Sequence, residues 1–222
     1  TVQYERIEHQ QKVVEDILEH WVTLSQNGKF HAILATSSIK EAIEYYRLIK
    51  AQSDLNITTL FDPNIDNNGA AHDKAAGLLE TVEDYNQKFD QDFTFATHAK
   101  FKKDIAARLG HKKPYAHIAK NPEQQINLLI VVDQMLTGFD SKWLNTLYLD
   151  KVIKYENIIQ AFSRTNRLFN EIEKPFGTIR YYRKPHTMEQ HINRAVKLYS
   201  GDKPIALFVQ RLESNLNKLN AI

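Results

Sequence analysis

The run INLLIVV at residues 126–132 limits the fold more than any other stretch of this chain. A strand with one wet face alternates apolar and polar residues. A nearly unbroken apolar run suits a strand covered on both faces. Helices supply that cover when they link parallel strands, so the pattern to seek is strands alternating with amphipathic helices.

The chain has that alternation. Residues 2–26 read as a long amphipathic helix with Val14, Ile17, Leu18, Trp21, Val22 and Ser25 on one stripe, closed by Asn27-Gly28. FHAILAT, residues 30–36, is a short apolar strand. Ser38 with Glu41 forms a capping-box pattern that opens a helix to about residue 50. NITTLF, residues 56–61, is a second strand ended by Asp62-Pro63, which makes a βαβ unit with a parallel pairing. Residues 64–125 read as a helical insertion with helices at about 75–92 and 97–110. After INLLIVV come the strand TLYLD (146–150), a helix, and the strand GTIRYY (177–182). Thr187-x-x-Gln190 predicts the cap of a helix to about Tyr199. A last apolar helix spans 204–220, with Ile205, Phe208, Leu212, Leu216 and Leu219 on its face. The expected architecture is α/β: an open, mostly parallel sheet with helices on both faces. Ligands then bind at loops leaving the strand C-termini, here Thr36-Ser37-Ser38, Asp133–Asp140 and the loop after Asp150.

Composition excludes several classes. With 42% hydrophobic residues, seven glycines and six prolines, the 222-residue chain is globular and neither disordered nor fibrous. No apolar run is long enough to span a bilayer, and no signal peptide is visible. The absence of cysteine removes disulfide and thiolate chemistry and agrees with the cytoplasm. The chain begins with Thr1, as a fragment does. Net charge is only +2, but it is unevenly spread: residues 62–92 hold eight acids and two bases, and residues 98–120 hold seven Lys/Arg and one Asp. Residues 151–203 hold eleven Lys/Arg and five acids. Segregated basic regions suit phosphates, although many proteins that bind no nucleic acid share the feature.

Two constellations carry chemistry. In YENIIQAFSRTNRLF, residues 155–169, a helix projected at about 100° per residue puts Gln160, Arg164 and Arg167 on one face. Ile158, Phe162 and Phe169 fall on the opposite, core-facing side. Guanidinium forks match phosphate oxygens, whereas the plain alternative is a solvated basic face. DQMLTGFD, residues 133–140, leaves the most buried strand and holds Asp133, Thr137, Gly138 and Asp140. Taken alone it is also a reasonable turn between two strands.

Together they resemble a known family. The spacing of Asp133, Gly138 and Asp140 fits motif V of superfamily 2 helicases and translocases, and Gln160-x-x-x-Arg164-x-x-Arg167 fits motif VI. LLIVVDQMLTGFDSKWLNTLYLDK and FKKDIAARLGHKKPY resemble the motor (R) subunit of type I restriction–modification enzymes. The likeness covers roughly residues 30–185. Thr137 stands where many members carry Arg, and Ser163 and Asn166 stand where many carry Gly.

The resemblance implies a RecA-like (P-loop NTPase type) three-layer domain at about 29–200. It would be preceded by a helix at 1–28 and followed by the start of a helical domain at 201–222. It implies ATP clamped between two lobes. Arg164 and Arg167 would stabilise charge on the γ-phosphate, and Gln160 would order the closed interface. Asp140, with Gly138, would sit near the nucleotide; Thr36, Ser37, Ser38 and Thr137 would contact DNA phosphates. A helix N-terminus suits that task independently, although Ser38 also reads as a plain cap. ATP and Mg would be held mainly by a first lobe, because no G-x-x-x-x-G-K-[ST] and no Walker B run occur in this sequence. The chain alone is then expected to be inactive, with no tightly bound cofactor. Implied partners are double-stranded DNA, the first lobe and nuclease domain of the same subunit, and the methyltransferase and specificity subunits of a prokaryotic, cytoplasmic complex.

Two other classes compete. Asp133 with Asp140-Ser141-Lys142 mimics the D…(D/E)-x-K spacing of metal-dependent nucleases, but it leaves the arginine helix unexplained. A non-catalytic α/β binding module is the other; it differs in whether Arg164 and Arg167 matter for ATP turnover in the full-length protein. His98, His111 and His117 lack metal-ligand spacing, so no metal site is expected.

Overall fold

The computed structural model describes residues 7–61, 71–132, 141–154, 156–167, 169–170 and 172–200. Five strands form one sheet: β1 (His31–Thr36), β2 (Ile57–Leu60), β3 (Leu128–Val132), β4 (Leu144–Asp150) and β5 (Thr178–Tyr181). Their order is β2-β3-β1-β4-β5 and every neighbouring pair is parallel. Every residue of β1, β3 and β4 is buried, as the apolar run in β3 requires. The fold is α/β and consistent with a RecA-like domain.

One expected pairing differs. β1 and β2 are parallel in the same sheet but not neighbours, because β3 lies between them, pairing Ala32 with Leu128 on one side and Thr59 with Ile130 on the other. The most apolar strand takes an interior position, with hydrogen-bonded neighbours on both sides and side chains packed on both faces. β2, with two threonines, goes to the edge.

Helix α1 (Ile7–Ser25) buries Val13, Val14, Ile17, Trp21 and Ser25, whereas Val22 is exposed. Asp16 ties it to the far edge of the sheet by accepting from Arg180 and from Tyr182 OH (2.7 Å). Gly28 turns the chain into β1 at φ +80°, where a side chain is strained. In α2 (Ile39–Gln52) the Ser38 hydroxyl caps the Glu41 N–H at 3.2 Å. The Glu41 carboxylate reaches back to the Ser37 N–H, one residue beyond the capping-box position. The crossover β1–α2–β2 runs toward one edge of the sheet. The crossover through α5 (Glu156–Thr165) runs from β4 to β5 at the other edge. Right-handed connections in opposite directions place α2 and α5 on opposite faces. α1 packs with α2, and α6 (Pro185–Ser200) packs with α5. α6 starts at Pro185, after Lys184 at φ 45°, so Thr187 lies in its first turn and is not its cap.

The insertion carries α3 (Ala71–Phe89) and α4 (His98–Leu109). Its centre is Asp104, which accepts from Tyr85 OH (2.6 Å), Tyr115 OH and Arg108 Nε (3.0 Å). The Arg108 guanidinium is buried 4.3 Å from the Phe89 ring centre and 4.1 Å from that of Tyr115. One of the seven basic residues in 98–120 is therefore a core group, while Lys100, Lys102, Lys103, Lys112, Lys113 and Lys120 are exposed. Among the described residues no helix is long and apolar enough to cross a membrane. The expected helix at 204–220 lies outside the described residues.

Candidate functional site

β1 hands the chain toward one edge of the sheet and β4 toward the other, so the crevice between their C-terminal ends is the topological switch point. Asp150 ends β4 there, fully buried at 0% exposure. Arg183, just past β5, meets it with a two-pronged contact: Nε to Oδ1 and Nη2 to Oδ2, both 3.0 Å. Tyr45 OH donates to the same carboxylate at 2.7 Å, and His9 Nε2 lies 2.8 Å from it. Arg183 also reaches Glu41 Oε1 at 2.8 Å and donates Nη1 to the Ser37 hydroxyl at 3.2 Å. Burial works against the Arg183 charge, but the hydrogen bonds and charges of Asp150 and Glu41 outweigh it and hold it above its ordinary value. Burial pushes the Glu41 carboxyl up, with Arg183 opposing. Burial, then the Asp150 charge, likewise raises the Tyr45 phenol. This buried ionic hub holds the loop after β1 at Ser37, through Glu41 and through Arg183.

Thr36 is buried, its hydroxyl 3.3 Å from Val131 O and 3.2 Å from Ser38 O. Ser37 and Ser38 are half-buried at the rim. The Ser37 N–H serves Glu41, and the Ser37 hydroxyl oxygen accepts from Arg183, which leaves its own proton to donate outward.

Gln160 and Arg164 sit on α5, one turn apart; Gln160 is exposed and Arg164 half-buried. Arg167 is exposed but lies two residues past the end of the helix, so the single helical face expected for all three is not what forms. A neighbouring segment stops the helix. A Cβ on Gly177 would lie 2.3 Å from Thr165 O, so the chain entering β5 passes directly over the helix end. α5 begins past the C-terminal end of β4 and runs back. Its arginine end lies by the opposite edge, where Phe169 packs on Phe30 (5.5 Å) and Trp143 (4.6 Å) at the starts of β1 and β4. Seven residues of β4 put these edges roughly 20 Å apart. The expected site residues therefore fall into two groups: Thr36, Ser37 and Ser38 at one edge, and Arg164 with Arg167 at the other.

Asp133, Thr137, Gly138 and Asp140 lie outside the described residues. Lys142, the basic member of the nuclease-like spacing, is exposed with its Nζ 4.9 Å from the Phe169 ring centre. Among the described residues no three His, Cys, Asp or Glu side chains cluster as metal ligands. The sequence reading missed Arg183, Glu41 and Tyr45 as site-shaping residues, and also Lys174, whose Nζ donates to the Arg167 and Lys142 carbonyls. Asp150 was legible only as a strand end, and nothing local marks its partners, which lie 33, 105 and 141 residues away.

Known proteins resemble this chain closely. A family model for type I restriction enzyme subunit R domain 3 matches residues 28–184. The endonuclease subunit of a type I restriction enzyme from Staphylococcus aureus (strain COL) is 34% identical over 202 residues, covering 85% of this chain and 20% of that protein. The corresponding subunit from Staphylococcus saprophyticus is 35% identical over 198 residues, again 85% of this chain and 20% of the relative. The HindI endonuclease subunit of Haemophilus influenzae is 48% identical over 50 residues, 22% of this chain and 5% of that protein. The chain thus spans about a fifth of the length of the staphylococcal relatives. A match to one domain model over most of the chain, with identity above 30% to these subunits, shows that the chain belongs to the family of type I restriction enzyme R subunits.

Proposed function

We propose that this chain is the second motor lobe of an R subunit, working in ATP-driven translocation of double-stranded DNA before cleavage. The observation that carries this reading is the end of α5. Gln160 and Arg164 lie one turn apart, and Arg167 stands exposed just beyond them on a backbone braced by Lys174 and Phe169. Guanidinium groups carried on a braced backbone are what a developing charge on a γ-phosphate needs. A first lobe of the same subunit supplies the phosphate loop and the acids for the magnesium ion that accompanies ATP. Arg164 and Arg167 complete the site from across the cleft, and Gln160 orders the closed interface. In the same reading Asp140 and Gly138 face the nucleotide.

The opposite edge takes DNA. The Ser37 and Ser38 hydroxyls and the Ser38 N–H offer donors to backbone phosphates beside the N-terminus of α2, Thr137 is counted with them in this reading, and Thr36 braces the loop from within. Nucleotide at one edge and DNA at the other make the lobe a lever between two ligands. The nuclease domain, methyltransferase and specificity subunits act as partners in the complex.

The test is DNA-stimulated ATP turnover of the parent subunit assembled with its partners. Arg164→Ala and Arg167→Ala should each lose about 10³-fold or more while the protein stays folded. Unchanged turnover in both variants would make these arginines a solvated surface and end this reading. The chain by itself should not turn over ATP.

A further inference from the structure

Lys174 is 1% exposed, yet it carries an ammonium group. Buried lysines normally meet a carboxylate, since an uncompensated charge in the interior is costly. Here the Nζ partners are two backbone carbonyls: Lys142 O at 3.2 Å and Arg167 O. The neighbouring acid, Glu173, is engaged by Lys29 and by the Asn170 amide. Burial alone pushes Lys174 down to about 8. A group placed at such cost for two carbonyls needs a reason.

The carbonyls supply it. Lys142 lies two residues before β4, and Arg167 is the outermost arginine of the α5 segment. One ammonium thus joins the backbone at the entry of β4 to the backbone just beyond α5. Phe169 against Trp143 and Gly177 against Thr165 close the same junction from two further sides. We propose that Lys174 is a positioning residue that clasps the Arg167 backbone to the entry of β4, fixing where that guanidinium sits relative to ATP. The inference rests on the reading of Arg167 given above. Lys174 itself touches no reacting atom.

The test uses the parent subunit in its assembled complex with Lys174→Met, Arg167→Ala and the double variant. A misplaced arginine should lower kcat about 10–100-fold with little change in KM for ATP. In the Arg167→Ala background the methionine should then cost nothing more. Loss of turnover by Arg167→Ala but not by Lys174→Met overturns the clasp, and so does an equal loss in both backgrounds, which marks a merely structural role. Hydrogen exchange of residues 165–170 provides a separate arm. Lys174→Met should strip protection there whatever Arg167 does, and unchanged protection overturns the clasp. If exchange rises but Arg167→Ala leaves turnover intact, the clasp stands as structure and the catalytic role given to Arg167 fails. Should Lys174→Met not fold, Lys174→Gln keeps an N–H donor in the same space and should show the same effects at smaller size.

Discussion

Arg183 and Asp150 form a two-pronged ion pair, Nε to Oδ1 and Nη2 to Oδ2 at 3.0 Å, in the crevice where the sheet changes direction. Asp150 ends the interior strand β4 and Arg183 follows the neighbouring edge strand β5, so their contact sets the spacing of the two strand ends. Because Arg183 also holds Glu41 and Ser37, one guanidinium links β4, β5 and the loop after β1.

Removing one partner leaves buried charge unanswered. Arg183→Met should destabilise the chain by about 3–5 kcal/mol. Asp150→Asn should have a similar effect, since Arg183, Tyr45 and His9 all converge on it. Urea denaturation of the two variants checks this. A loss under 1 kcal/mol for both would mean the hub is held by something other than its ion pair.

Gly177 faces the backbone at the end of α5, with Thr165 O 2.3 Å from where a Cβ would stand. Backbone cannot rotate away as a flexible side chain does. Gly177→Ala should therefore cost about 1–3 kcal/mol and shift the arginine segment. Melting temperature reads the first effect and ATP turnover in the assembled enzyme the second. A variant as stable and active as the parent would refute the close approach.

His31 is buried, and burial, followed by the nearby His111 and Lys174 charges, holds its imidazole at about 3 against an ordinary 6.5. Between those values the unfolded chain binds a proton that the native chain refuses. Stability from this group is therefore complete above about pH 6.5 and is lost as pH falls toward 3. His31→Leu should flatten the slope of stability against pH in that window. Equal slopes for both proteins would assign the acid sensitivity elsewhere.

The Ser38 hydroxyl caps α2 at the Glu41 N–H. Ser38→Ala should cost about 1 kcal/mol of stability. If the same loop meets DNA phosphates, the variant should also weaken DNA binding in the assembled complex, uniformly across sequences because phosphate contacts carry no base information. Lost stability with unchanged DNA affinity would leave Ser38 as a cap alone.

Local pattern carried much of the fold. The apolar run of β3, the cap at Ser38 and the glycine turn at Gly28 all depend on residues within a few positions of one another, and each formed where the sequence placed it. The arginines were legible as chemistry but not in their arrangement. A helical projection assumes the helix continues, and here it stops at Thr165 because a segment twelve residues later crosses its end.

The sequence by itself determined which segments are strands and helices, because periodicity and capping act over a turn or a pleat. Tertiary structure alone decided that β3 separates β1 from β2, that Arg183 reaches back 146 positions to Ser37, and that Lys174 clasps Arg167. Those outcomes follow from desolvation. Once the sheet closes, a buried charge must find its donors among whatever side chains and carbonyls packing brings near, and nothing adjacent in the chain names them.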